Sequence, residues 1–356
     1  MGFNILVINP GSTSTKIAIY EGENKKFSEN IFHSEAELVE YNNIIEQREF
    51  RKGIILKFLA DKNISLRSLD AVVGRGGLLN PIPGGTYYVN EKMLKDLEIG
   101  VQGEHASNLG GILAAEIASQ VDIPAFIVDP VVVDEFEEVA RLTGIPEIRR
   151  RSIFHALNHK SSARLAAKKM EKEYDEVNLV IAHLGGGISV SAYKKGKVID
   201  VNNALNGEGP IAPERAGTLP AWDLIELVLS GKYSKCELKK KITGKGGMVA
   251  LLGTNDMKKV MERIRKGDKQ AKLVFDAMAY RIAKEIGACA AALSGQVDAV
   301  VITGGLAHCE EFVEKIKNYV SFIGKIFIFP GEDEMKALAL GVLRVLKGEE
   351  KAKKYI

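Results

Sequence analysis

The sequence predicts a two-domain α/β protein whose halves repeat one strand–turn–strand unit, each copy suited to gripping phosphate. The first observation is the stretch Asn178–Tyr193. An apolar run, Leu179–Ala182, reads as a buried strand; Gly185, Gly186 and Gly187 make a turn; alternation resumes at Ile188, Val190 and Ala192. The second is a copy at the N-terminus. There Asn4–Asn9 is the apolar strand, Pro10–Thr15 the small polar turn and Lys16–Tyr20 the alternating strand. The third is spacing: the copies lie about half a chain length apart in 356 residues, enough chain for two cores. Small turns of this kind let backbone N–H groups approach an anion without a Cβ in the way.

Composition narrows the classes. Hydrophobic content of 46% and charged content of 27% are ordinary for a soluble globular protein. The net charge of +3 is small and the basic residues are dispersed, which argues against nucleic acid as the main partner. No apolar run is long enough to span a bilayer, and Met1–Asn9 lacks the pattern of a signal peptide. Cys236, Cys289 and Cys309 show no paired spacing, which fits a reduced, cytoplasmic setting.

In chain order, residues 35–62 read as one helix carrying Leu38, Ile44, Ile45, Ile54, Ile55, Phe58 and Leu59. Residues 70–73 read as a short buried strand ending in Gly74-Arg75-Gly76-Gly77, an arginine on a flexible turn. Ser107 or Asn108 caps a helix over 109–119, and the strand 123–128 ends at Asp129. A carboxylate at a strand's C-terminal end sits where open α/β sheets bind ligands. Arginines 149–151 precede His155 and a helix over 156–173. After the second glycine turn, residues 203–220 form a long irregular loop with one cation, Arg215; such loops are usually functional. Helices are expected over 222–229, 256–265 and 268–294. The strand 298–302 runs into Thr303-Gly304-Gly305, and a last strand, 325–329, precedes a helix capped by Asp333 over 334–346.

These turns match neither G-x-x-x-x-G-K-[ST] nor G-x-G-x-x-G after the first strand. Together they resemble something else. Val7-Ile8-Asn9 with Gly11, Ser12, Ser14 and Lys16, His183-Leu184-Gly185-Gly186-Gly187, and Thr303-Gly304-Gly305 resemble the phosphate and adenosine motifs of the acetate and sugar kinase, heat-shock chaperone and actin superfamily. Phe154-His155 after the arginine run, Asp129 after its strand, and the loop Gly209–Arg215 resemble the acetate/butyrate kinase family within it. Gly103–Asn108 and Asn206–Pro210 are nearest to its butyrate-using members. The resemblance covers nearly the whole chain. Acetate kinases are longer, carry Asn where Gly186 stands, and place an arginine before the strand that here ends at Arg75; the resemblance implies that Arg75 would fill that role from a shifted position.

The resemblance implies a duplicated actin-like (ribonuclease H-like) fold with an interdomain nucleotide cleft. Residues 1–150 plus 331–356 would form the acyl-side domain and 151–330 the adenosine-side domain. It implies direct in-line transfer of the ATP γ-phosphoryl group to a short-chain carboxylate, reversibly, in a homo-oligomer of at least two chains. Arg215, Asp129, His155 and Arg75 would be catalytic. Asn9, Gly11, Ser12, Ser14, Lys16, His183, Gly185, Gly186, Gly187, Asp256, Gly304 and Gly305 would hold ATP or ADP. Asn9, Asp129 and Glu334 would hold Mg²⁺, directly or through water. The planar forks of Arg215 and Arg75 suit carboxylate or phosphoryl oxygens. The acceptor is already an anion, so no general base is needed.

Plainer roles compete. His155 and His159 stand at i, i+4, but no glutamate completes H-E-x-x-H, so His159 reads as a packing histidine. His105 either caps the 109–119 helix or touches ligand, and Asp256 either caps its helix or contacts nucleotide. A sugar or polyol kinase would need an aspartate base, for which Asp129 is the candidate. A non-catalytic ATP-driven binding module would need a peptide-binding domain, for which the chain has no room.

Overall fold

Both expected strand–turn–strand units form. The structure of the protein, a computed structural model, describes residues 2–356. In the first sheet, β1 (Asn4–Pro10), β2 (Ser14–Glu21) and β3 (Asn24–Phe32) are an antiparallel meander. β4 (Ala71–Arg75) pairs parallel to β1; β5 (Thr86–Tyr88) and β6 (Ala125–Val128) follow, with β6 parallel to β4. In the second sheet, β7 (Asn178–Leu184), β8 (Ile188–Lys194) and β9 (Lys197–Val201) repeat the meander. β10 (Ala299–Gly304) and β11 (Lys325–Pro330) extend it parallel to β7, and β12 (Lys353–Lys354) returns to the first sheet. The strand orders are β12-β5-β6-β4-β1-β2-β3 and β11-β10-β7-β8-β9. From the meander outward the two sheets share one topology, so the duplication lies in the connections as well as in the sequence.

The chain divides into two units, Met1–Val133 with Asp333–Ile356, and Asp134–Glu332. The helix Glu334–Leu346 thus belongs with the first sheet, where Gly341 lets it approach Val128. The boundary falls at Val133 and not near residue 150. Local bonding explains the shift: Glu137 N–H donates to Ile199 O at 3.1 Å, and Arg150 donates to Asp200 Oδ1 at 2.8 Å and Glu208 Oε1 at 2.6 Å. Each unit has its own core. Leu6, Ile8, Ile17, Phe58 and Leu113 pack in the first; Val180, Val190, Ile282, Ile286 and Val300 pack in the second.

The helix expected over 35–62 is interrupted. Residues 35–38 and 48–61 are helical, with a 3₁₀ turn at 45–47. Between them Asn42 N–H and Asn43 Nδ2 both bond Glu46, and such local side-chain bonds compete with a continuous helix. β3 was not expected, because nearly all its residues face water and it shows no alternation. Among the described residues no helix is long and apolar enough to cross a membrane.

Candidate active site

The first turn stands between β1 and β2, closed by Gly11 N–H donating to Ser14 O at 2.8 Å. Asn9 ends the apolar strand opposite Lys16 in the ladder. Asn9, Gly11, Ser12, Ser14 and Lys16 line one pocket with Arg75, His105, Ser107 and Glu334, all from the first unit. Asn9 Nδ2 donates to Glu334 Oε2 at 2.8 Å, and Arg75 Nη1 pairs with Glu334 Oε1. Arg75 is not on a flexible turn. It is the last residue of β4, and the helix Asn108–Ser119 presses against it: a Cβ on Gly74 would lie 1.9 Å from Gly110 O. Small residues on both sides permit that approach, so the arginine is held by packed backbone.

Asp129 follows β6 with φ +40, an uncommon conformation for a residue with a Cβ. Its Oδ1 accepts from Gly85 N–H at 2.7 Å, and its own N–H donates to Gly85 O at 3.0 Å. At least one carboxylate oxygen is therefore committed to the Gly85 backbone, and Asp129 is not among the residues lining the pocket. His105 Nδ1 stands 2.8 Å from Ser107 Oγ at the entry to the helix, so it serves the helix start and the pocket together.

The second turn has a different basis from the first. Gly187 is glycine because Arg215 occupies its space: a Cβ there would lie 1.4 Å from Nη1. Gly186 faces the Glu214 carboxylate, and Gly185 faces His183 and Glu332. The 203–220 loop that delivers Arg215 is well fastened. Asn202 Nδ2 donates to Glu208 O at 3.1 Å, Thr218 N–H donates to Gly209 O at 2.8 Å, and Ala212 N–H donates to Arg215 O at 3.1 Å. Burial pulls the Arg215 guanidinium below its usual pKa, against the opposing charge of Glu214. Its Nε is buried with no hydrogen-bond partner. A buried donor without an acceptor is costly unless an anion supplies one.

Gly185, Gly186 and Gly305 line a pocket of the second unit with Pro213, Glu214, Asn255, Leu306 and Glu332. Gly304 has φ +94, and a Cβ there would lie 2.5 Å from Leu184 O, so glycine is obligatory. Gly304 and Gly331 exchange N–H···O bonds at 3.2 and 2.9 Å, which brings Glu332 to the turn.

His183 and Asp256, expected at the nucleotide, are not among the residues lining this pocket. His183 does not open onto the pocket: it is fully buried at the end of β7, with Nε2 3.1 Å from Glu332 Oε1 and its ring stacked on His155 at 4.1 Å. Asp256 caps the helix Met257–Arg265, its Oδ1 accepting from Lys258 N–H at 2.9 Å; its neighbour Asn255 lines the pocket and donates to Glu214 at 2.8 Å. His155 is half-buried at the start of the helix Ala156–Lys169, its Nδ1 2.9 Å from Ser189 Oγ. His159 is fully buried between Ser189 and Ser191, 2.8 Å from each, and burial pushes it well below the usual imidazole pKa. No sequence pattern singles out Glu214, Glu332 or Asn255, and Ser107 reads in the sequence only as a helix-cap candidate. Single polar residues in loops carry no period, and adjacency alone marks Glu214, beside Arg215, and Asn255, beside Asp256.

The acetokinase family model matches residues 141–327 of the chain. The chain belongs to the acetokinase family. It is 59% identical over 355 residues, covering 100% of both chains, to a protein named butyrate kinase 2 from Clostridium acetobutylicum. Among solved structures it is similar to an acetate kinase from Porphyromonas gingivalis, with a TM-score of 0.78 and 22% identity over 97% of this chain and 100% of that one. A propionate kinase from Francisella tularensis gives a TM-score of 0.75 at 20% identity, over 95% and 98%. At such identities these two show the fold alone, the duplicated actin-like one.

Proposed function

We propose that the protein is a butyrate kinase. A butyrate carboxylate oxygen attacks the γ-phosphorus of ATP, the bond from that phosphorus to the β–γ bridging oxygen breaks, and butyryl phosphate and ADP result. The reverse reaction makes ATP. The observation that carries this reading is the full-length 59% identity to a butyrate kinase.

The geometry supports it residue by residue. Phosphoryl transfer asks the protein mainly for positioning and for donors around a charge-dispersed transition state. Arg215, with its unsatisfied Nε, is suited to grip an anion, and Arg75 presents a second fork held rigid by Gly74 and Gly110. In this reading the first pocket takes the terminal phosphoryl group and the acyl carboxylate, and the pocket at Gly185, Gly186 and Gly305 takes the nucleotide side. His155 donates to a phosphoryl oxygen, backed by Ser189.

Mg²⁺ belongs to the same proposal, and the donor set fits it. Among the described residues no cluster of three or more metal-ligating side chains exists, while Glu334 lines the first pocket with Asn9. An ion that prefers few carboxylates, several waters and nucleotide phosphates suits that supply. When bound it would neutralise charge on the phosphates. Asp129, which does not line that pocket, would help through water.

Acetate or propionate as preferred acceptor is the nearest alternative. A sugar kinase would need Asp129 as base, and that carboxylate is engaged by Gly85. We place the protein in the cytoplasm, since Cys236, Cys289 and Cys309 are free thiols, without nucleic-acid or membrane partners. We also expect self-association into at least a dimer; Trp222, Ile225 and Leu229 of one helix stand exposed, as apolar contact surfaces do. Hydroxamate trapping tests the function: butyryl hydroxamate should form from butyrate, ATP and hydroxylamine. No hydroxamate from any short-chain acid would overturn it.

A further inference from the structure

Beneath the first turn lies a cation that none of these roles uses. Arg51, in the helix Arg48–Asp61, is fully buried. All its bonds go to neutral acceptors. Nε and Nη2 donate to Gln47 Oε1 at 3.1 and 2.8 Å. Nη1 donates to Ser14 O at 2.9 Å and Thr15 Oγ1 at 3.0 Å, and Nη2 reaches Ser12 O at 3.4 Å. Among the described residues no carboxylate pairs with it. Burial lowers its pKa to about 10, so it remains charged at neutral pH. The neighbouring His33 adds no second cation there: burial and the Arg51 charge hold its pKa down.

An ion buried without a counter-ion is costly, and perturbed buried charges gather where a ligand completes the balance. Ser12 and Ser14 connect the two sides. Their carbonyls face Arg51, and the same residues line the pocket. In a planar trans peptide the N–H points opposite to the C=O. Drawing the Ser12 carbonyl toward Arg51 therefore turns the Thr13 N–H away from it.

We infer that Arg51 is a positioning residue for the first phosphate turn: a buried charge that fixes the Ser12–Thr15 backbone and whose counter-ion is the bound phosphoryl group. This rests on the reading that the first pocket takes the terminal phosphate. It requires that neutralising Arg51 from within the protein weaken phosphate binding even when the fold is untouched.

Gln47→Glu does this. It keeps size and acceptor positions and sets a carboxylate against Nε and Nη2. The full chain carrying it should melt at or above the wild-type temperature. In calorimetric titrations its affinity for ATP should fall about tenfold, the lower end of what losing an outer-layer partner does at metal sites. Its affinity for ADP should change less, and the KM for butyrate should stay put. Arg51→Met should lose ATP affinity as well, with Arg51→Lys restoring part. If Arg51→Met fails to fold, Gln47→Glu alone decides. An unchanged ATP-to-ADP preference in Gln47→Glu overturns the inference, and so does an equal loss for ATP, ADP and butyrate. These titrations need no acceptor, so failure to form butyryl hydroxamate would remove the proposed function and still leave Arg51 to be decided by ATP binding.

Discussion

The guanidinium of Arg215 fills the space that a side chain on Gly187 would need, with Nη1 1.4 Å from where that Cβ would stand. A glycine that looks like a phosphate cradle in the sequence is, in the fold, the seat of an arginine. The turn and the 203–220 loop are thus one device, and a change in either reaches the same guanidinium.

Arg215→Ala should lose roughly a hundredfold or more in kcat, the scale for removing one preorganised donor to a developing charge. Arg215→Lys should restore only part, because a point charge does not reproduce the fork. Gly187→Ala should imitate the loss by displacing the guanidinium while the arginine itself is kept. Steady-state kinetics on the three variants checks this, and wild-type kcat in Arg215→Ala would remove it from the site.

Glu334 accepts from Asn9 and pairs with Arg75, whereas Asp129 holds the Gly85 backbone. Glu334→Gln should therefore raise the Mg²⁺ concentration needed for half-maximal rate. Asp129→Ala should chiefly cost stability, about 1–3 kcal/mol for a buried donor left unsatisfied. Mg²⁺ titrations and denaturant melts separate the two. Equal Mg²⁺ dependence in wild type and Glu334→Gln would return Glu334 to a structural role.

Acid should destabilise the second unit through His159. Its folded pKa lies well below the ordinary value, so the folded protein keeps it neutral while the unfolded chain takes up a proton below about pH 6.5. The stabilisation is complete above that pH and is lost as pH falls toward the folded pKa. His159→Asn should melt lower at pH 8 yet lose less on acidification. Melting curves from pH 8 to 5 measure it; parallel losses in both proteins would contradict the assignment.

Acyl-chain choice should follow buried methylenes. Butyrate carries two more than acetate, which at about 0.8 kcal/mol each gives roughly tenfold to twentyfold in kcat/KM. Near neighbours of the best substrate are discriminated weakly. Butyrate and isobutyrate should lead, propionate and valerate follow, and acetate trail. A series of specificity constants checks the order, and a preference for acetate would change the acceptor without disturbing the kinase.

Gly304→Ala should cost about 1–3 kcal/mol, the usual scale for forcing a Cβ into a sparsely populated backbone region. Its φ of +94 and the Leu184 carbonyl leave no room for relaxation. Urea melts with a midpoint unchanged from wild type would show that the turn can shift.

Local pattern alone specifies the two strand–turn–strand units, the second sheet's strand ends and the pairing of Asn9 with a small polar turn. Those depend on local alternation of apolar and polar residues, which period alone reports. It could not disclose β3, whose residues face water on both sides, or the break near Asn42, where side chains bond Glu46. Tertiary structure decided which way the chemistry-bearing side chains point. It buried His183 behind its turn, tied Asp129 to Gly85, and set Arg51 beneath Ser12 and Ser14. Each outcome depends on a partner distant in sequence or on a backbone angle. No composition or spacing encodes these, because the free energy that selects them comes from packing after the strands have met.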